Sequence, residues 1–198
     1  MTNSEKRKKQ TKTLVLGSVM TALVIILQLI GTATTFFGPF STAVALIPIV
    51  IGAAMCGTAV GAWLGFVFGV VVLASGGAAL FFAFDIPGTI ITVLLKGTAC
   101  GLAAGLVYKL LEKINSFLAV FVAAIVCPLV NTSVFLLGCF VFFMDSADAI
   151  ASQLGLTVSG MSLFWALAMG NFLLEIATNA VLSPVIVRVL KIEKKNNI

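Results

Sequence analysis

An all-α integral membrane bundle of six transmembrane helices, with both termini cytoplasmic, is predicted by three features of the 198-residue sequence. Its composition is 61% hydrophobic and 10% charged, against about 45–50% and about 25% in soluble domains. A soluble core of this length leaves too much surface in water to hide that much apolar area. Apolar stretches of membrane-spanning character recur along the chain. Lys and Arg concentrate in alternate connections, as the positive-inside rule requires of an even number of spans.

The first stretch, 14–31, follows the basic head 1–13. Its apolar part exceeds the ~7–15 residues of a signal-peptide core, and more spans follow, so it reads as a retained helix. The second, 40–56, is the shortest and carries Pro48, which predicts a tilted, kinked or partly re-entrant helix. Stretches at 59–76, 86–108, 116–143 and 161–187 meet the ~17–25 residues that a bilayer core needs. The fifth is long enough to tilt or to project. The whole chain, 1–198, reads as one six-helix domain with a basic head at 1–13 and a basic tail at 188–198.

With both termini inside, segments 1–13, 56–58, 109–115 and 188–198 hold eleven of the twelve basic residues. The outer segments 31–42, 76–87 and 144–160 hold none, and carry Asp85, Asp145 and Asp148 instead. Trp63, Tyr108 and Trp165 fall near helix ends, where amphipathic rings favour the interface. Lipid bilayer is therefore the expected surrounding, and the basic charge reads as a topology signal rather than a nucleic-acid surface.

The sequence has no histidine, which removes His metal ligation, His general-base catalysis and Ser-His triads. Cys56, Cys100, Cys127 and Cys139 are widely spaced without a CxxC, and read as small apolar packing residues rather than disulfide or zinc ligands. No GxxxxGK[ST], HExxH or GxSxG occurs. No enzyme, metal or cofactor is expected.

Glycines 57, 61, 65 and 69 of the third helix, and 97, 101 and 105 of the fourth, are spaced four apart and share a face in each. Small faces let backbones approach, which drives helix association in lipid. Internal packing is the expected use, with a ligand or partner groove as the alternative. Ser18 and Ala22 form a similar small pair in the first helix.

Lys96 and Glu175 are ionisable residues inside spans, where charge is costly and faces protein or a wet cavity. By the ~1.5 Å helical rise, Lys96, Asn131 and Asn171 lie roughly 15–18 Å below the outer ends of the fourth, fifth and sixth helices. Glu175 and Asn179 follow Asn171 by one and two turns on the same face. Three readings stay open: a buried Lys96–Glu175 pair fixing register, a polar pocket open to the outside with Lys96 meeting an anionic ligand, and a proton relay. The aromatic outer segments, with Phe36, Phe37 and Pro39 in one and Phe81, Phe82 and Phe84 in the other, are expected to cover such a pocket or to anchor at the interface.

Six short helices, a basic cytoplasmic head and the small pair in helix one, with ALIPIVIGAAMCGTAVGAWLGFVFG at 45–69, LLKGTACGLAAGLVYKLLEK at 94–113 and CPLVNTSVFLLG at 127–138, resemble the S components of energy-coupling factor (ECF) vitamin transporters. The resemblance covers nearly the whole chain. It implies a high-affinity substrate-binding subunit in a prokaryotic plasma membrane, bound to a transmembrane T component and powered by two ABC-type ATPases. It places the vitamin near the outer side, in the region of Lys96, Asn131, Asn171 and Glu175, and the T-component contact at Ser18 and Ala22. Ser18 departs from the family's Ala but keeps the small size. The pantothenate-like or an otherwise unassigned branch is the nearest match, and the carboxylate of pantothenate suits Lys96. The competing function is an autonomous ion-coupled carrier that uses Lys96 and Glu175, although no internal repeat of the kind such carriers often show is evident.

Overall fold

The computed structural model describes residues 3–34, 43–158 and 160–195, and all regular structure among them is helical. Helix α1 runs over Asn3–Thr34. A 3-10 turn at Ala43–Ala45 leads into α2, Leu46–Cys56, and α3 follows over Thr58–Ala74. A short α4, Ala79–Phe82, precedes α5, Ile86–Leu111. Then come α6, Ser116–Gly138, α7, Ala147–Gln153, and α8, Met161–Lys195.

Local chemistry sets these boundaries. The head 1–13 is rich in Lys, Arg, Glu and Gln, all good helix formers, so α1 starts at Asn3 rather than near residue 14. Pro48 lies in the first turn of α2, where its missing N–H costs nothing. One residue, Gly57, separates α2 from α3 at φ 94°, a left-handed conformation that an L side chain resists. Pro87 opens α5 after the extended Asp85. Asn115 caps α6, its Oδ1 accepting from the N–H groups of Phe117 at 2.8 Å and Leu118 at 3.4 Å.

All six expected helices form, with corrections in extent. Among the described residues four helical runs, against the six spans expected, are long and apolar enough to cross a membrane: 3–33, 86–111, 116–153 and 161–179. The second helix spans only 11 residues and the third 17. The segment after α6 is not an open loop. A π-helical turn at Cys139–Phe143 and a 3-10 turn at Met144–Ser146 pass directly into α7. Ala147, Ile150 and Ala151 recur at helical spacing and are buried there.

The two glycine stripes meet each other across antiparallel α3 and α5. A Cβ on Gly65 would overlap the Gly97 carbonyl, and one on Gly101 would overlap the Gly61 carbonyl. Gly69 lies against Val93, and Gly105 against Thr58. These stripes are internal packing surfaces. Gly57 is no member of them, because it faces open space at the α2–α3 corner.

A larger core gathers Leu46, Ile49, Leu64, Cys100, Val120 and Ala124, and a smaller one gathers Phe143, Ile150, Leu163 and Phe164. Cys100, Cys127 and Cys139 are buried, and the four cysteines are free thiols. Large apolar side chains such as Leu14, Leu95, Leu110, Leu173 and Val181 point outward instead. Water tolerates no such continuous apolar exterior, whereas lipid does. Trp63 and Trp165 are exposed, whereas Tyr108, expected at the interface with them, is buried in the core.

Candidate functional site

A cavity of about 340 Å³ lies at the end of the bundle that carries the 75–85 connection and Leu154. Small-molecule sites occupy about 300–1,000 Å³. Five helices and one connection wall it: Gln28 and Thr32 from α1, Phe68 and Val72 from α3, Lys96 from α5, Asn131, Thr132 and Phe135 from α6, and Leu167 and Glu175 from α8. Gly76, Gly77 and Phe81 complete it between α3 and α5.

Three of the residues picked out by sequence therefore share one chamber: Lys96, Asn131 and Glu175. The backbone of Asn171 lies one turn before Glu175 on α8, and its side chain lies outside the described ones. Lys96 sits beside Gly97, so the close α3–α5 contact fixes its height at the wall. Its ammonium lies over the ring of Phe135, 5.3 Å from the centroid, in cation–π geometry.

Lys96 and Glu175 do not form the direct pair that one reading anticipated: no ion pair within 4.0 Å joins them among the described residues. Asn131 engages Glu175 instead, its Nδ2 donating to Oε1 at 3.4 Å and Oε2 at 3.5 Å. Both residues are 5% exposed. These bonds exceed the usual N–H···O distance of ~2.9–3.0 Å. Asn131 Oδ1 has no hydrogen-bond partner among the described residues. One helical turn deeper on α8, Asn179 is fully buried and donates to the Ala124 carbonyl at 3.2 Å, so it ties α8 to α6 rather than lining the chamber.

Phe81 closes the chamber from the connection between α3 and α5. It meets Phe135 edge-on at 5.6 Å and Phe143 at 5.1 Å. Phe82 packs against the larger core and Phe84 against the smaller. Phe36, Phe37 and Pro39 lie outside the described residues. Sequence reasoning missed Gln28, Thr32, Thr132 and Phe135. Gln28 was detectable as an uncharged polar residue inside an apolar span, and Phe135 as the residue one turn from Asn131. Gln28 Nε2 donates to Thr32 Oγ1 at 3.2 Å, and Thr32 Oγ1 bonds Ser75 Oγ at 3.0 Å, joining the end of α1 to the end of α3.

A second, open groove of about 890 Å³ flanks the start of α1 beside Arg7, Lys8 and Lys12. Its described lining comes from that helix alone. The smaller chamber, where polar groups from several helices converge, has the anatomy of a ligand site.

Ser18 and Ala22 are both exposed on α1, amid the outward-facing Leu14, Val15, Val19 and Ile26. The Ser18 hydroxyl donates to the Leu14 carbonyl at 2.8 Å, so its polarity is satisfied within its own helix.

No curated protein and no solved structure matches the chain. The family model described as "ECF transporter, substrate-specific component" matches residues 12–187, from the end of the basic head to the last turns of α8. That span takes in every helix that walls the chamber, and the chain belongs to the family of ECF transporter substrate-specific components.

Proposed function

We propose that this chain is the high-affinity substrate-binding subunit of an ECF-type importer for a vitamin or related micronutrient, with pantothenate as first candidate. The observation that carries the reading is the chamber near one end of the bundle, into which α5, α6 and α8 bring Lys96, Asn131 and Glu175. Asn171, one turn from Glu175, joins them in the proposed substrate-binding set. An apolar chamber with a few convergent polar groups suits capture of a small organic molecule.

In this reading the chain crosses a prokaryotic plasma membrane six times, with both termini cytoplasmic, so the chamber opens to the outside. Substrate-specific components are transport subunits rather than enzymes. The energy for uptake is proposed to come from two ABC-type ATPases acting through a transmembrane T component. The T component is proposed to dock on the α1 face that carries Ser18 and Ala22, where small side chains allow close helix approach.

Mass spectrometry of small molecules released from gently purified protein tests the reading. One stoichiometric vitamin is the expected result. Uptake by the chain alone in liposomes, driven by an ion gradient, would replace it with the ion-coupled carrier that uses Lys96 and Glu175.

A further inference from the structure

The chamber is asymmetric in hydrogen-bonding character. On one wall Lys96 offers only donors, and it rests on the face of Phe135 rather than on a carboxylate. On the other wall the Asn131 carboxamide is oriented by Glu175, because only its NH2 can face a carboxylate. That orientation turns Asn131 Oδ1 away from Glu175 and leaves it without a partner among the described residues, in a residue 5% exposed. Among the described residues Glu175 itself receives one shared, long donor, where a carboxylate accommodates about four. The second wall is thus an acceptor surface short of donors.

From this arrangement we infer that the ligand is bipolar. A single acid group sits against Lys96, and a hydroxyl, amide N–H or amine sits against Asn131 Oδ1 and Glu175. The apolar body between them lies along Phe68, Val72 and Leu167. The inference rests on the proposal that this chain is a substrate-binding subunit, and it adds the ligand's chemistry and its direction in the chamber.

Charge complementarity excludes the alternatives. The formal charges of Lys96 and Glu175 cancel, so a doubly charged phosphate monoester meets one cation and one opposing carboxylate. A cationic ligand satisfies Glu175 but confronts Lys96. An uncharged ligand leaves the Lys96 ammonium with the Phe135 ring and no direct anionic contact among the described residues, which is costly at membrane depth. A simple fatty acid answers Lys96 and leaves Asn131 Oδ1 without a donor, and a buried unpaired acceptor weakens binding. Pantothenate, with its carboxylate, hydroxyls and amide, falls within the inferred class.

The test uses the full chain in nanodiscs and six probes. Pantothenate and biotin carry an acid and donors; panthenol and biotin amide lack the acid; octanoate lacks the donors; thiamine is a cation. Pantothenate or biotin is expected to bind about tenfold or more tightly than its neutral counterpart and than octanoate. Lys96→Met should abolish the preference over the neutral counterpart. Asn131→Leu should abolish the preference over octanoate. Each variant is checked for a monodisperse elution profile and unchanged helical circular dichroism. The inference is overturned if panthenol, biotin amide, octanoate or thiamine binds as tightly as the acids, if neither acid binds, or if a folded Lys96→Met protein keeps the acid preference. Tight binding of thiamine or panthenol would overturn the inference and leave the binding-subunit reading standing. A chain that binds nothing and fails to co-purify with a T component would remove both.

Discussion

Asn179 donates through Nδ2 to the carbonyl oxygen of Ala124 at 3.2 Å, and that carbonyl is the one whose intrahelical donor would have been residue 128. Pro128 has no N–H to give. The side chain of α8 therefore repairs a gap that proline opens in α6. Seven residues further along α6, Asn131 meets Glu175, one turn from Asn179. Two amide bridges thus set the register of the α6–α8 seam beside the chamber.

The repair predicts a thermodynamic cycle. Interhelical hydrogen bonds in membranes average about 0.6 kcal/mol and reach about 1.7. Asn179→Ala should destabilise the protein by that order, plus the loss of its packing. In a Pro128→Ala background the backbone supplies its own donor, and the same substitution should cost measurably less. Thermal unfolding of the four proteins gives the coupling energy. Equal costs in both backgrounds would show that the Asn179 bond does not depend on the missing N–H.

The glycine stripes make opposite predictions at two positions. A Cβ at Gly65 runs into the Gly97 carbonyl, backbone that cannot swing aside. Gly65→Ala should lower stability by about 1–3 kcal/mol, the usual range for overpacking, or more. A Cβ at Gly17 meets only Val60 Cγ1 at an ordinary 3.6 Å. Gly17→Ala should be neutral, or stabilising by up to about 1 kcal/mol from helix propensity. Melting temperatures of the two variants in one detergent decide the matter.

Thr92 is 4% exposed, and its hydroxyl oxygen has no partner among the described residues. An unsatisfied buried polar group costs about 1–3 kcal/mol. Thr92→Val keeps the shape and removes the polar atom, so it should raise the unfolding temperature and leave ligand affinity unchanged. A fall in stability would mean that the hydroxyl has a bound water or ligand as its partner.

The proposed docking face on α1 separates assembly from binding. Ser18→Leu and Ala22→Leu put bulk where the helix is exposed, away from the chamber. Both should prevent co-purification with a T component and its ATPases while leaving ligand affinity within about twofold. Normal assembly of both variants would place the contact elsewhere.

The helices and the chamber were legible in the sequence to different depths. Apolar stretches marked the six longer helices but not the short α4 and α7, and glycines at intervals of four marked the α3–α5 contact, because both signals are local and periodic. Lys96, Asn131 and Glu175 stood out because polar groups are costly at membrane depth. Their pairing was not legible. Whether Glu175 meets Lys96 or Asn131 depends on how α5, α6 and α8 are rotated about their axes, and a shift of one residue turns a helix side chain by about 100°. Residues 43–45 were read as part of α2 because they are as apolar as a helix, yet Ala43–Ala45 form a 3-10 turn; 40–42 lie outside the described residues. The role of Asn179 was hidden for a related reason. Its spacing put it on the same face as Asn171 and Glu175 without naming a partner, and that partner is a backbone carbonyl exposed by a proline on another helix.

Where α3 and α5 cross, backbone rests directly on backbone, without side chains to change rotamer. A surface of that kind has no soft modes at the ångström scale: it holds its shape or separates. Lys96 rises from one rail of this joint, and Phe68 and Val72 from the other. The distance between the Lys96 anchor and the apolar rest of that wall is thereby set before any ligand arrives. Accommodation is left to the opposite side and to the aromatic cover at Phe81. If the chamber is the binding site proposed above, the protein holds its cargo as a gauge with one fixed jaw, and cargo that does not fit that jaw is refused at the cost of lost contacts rather than by rearrangement.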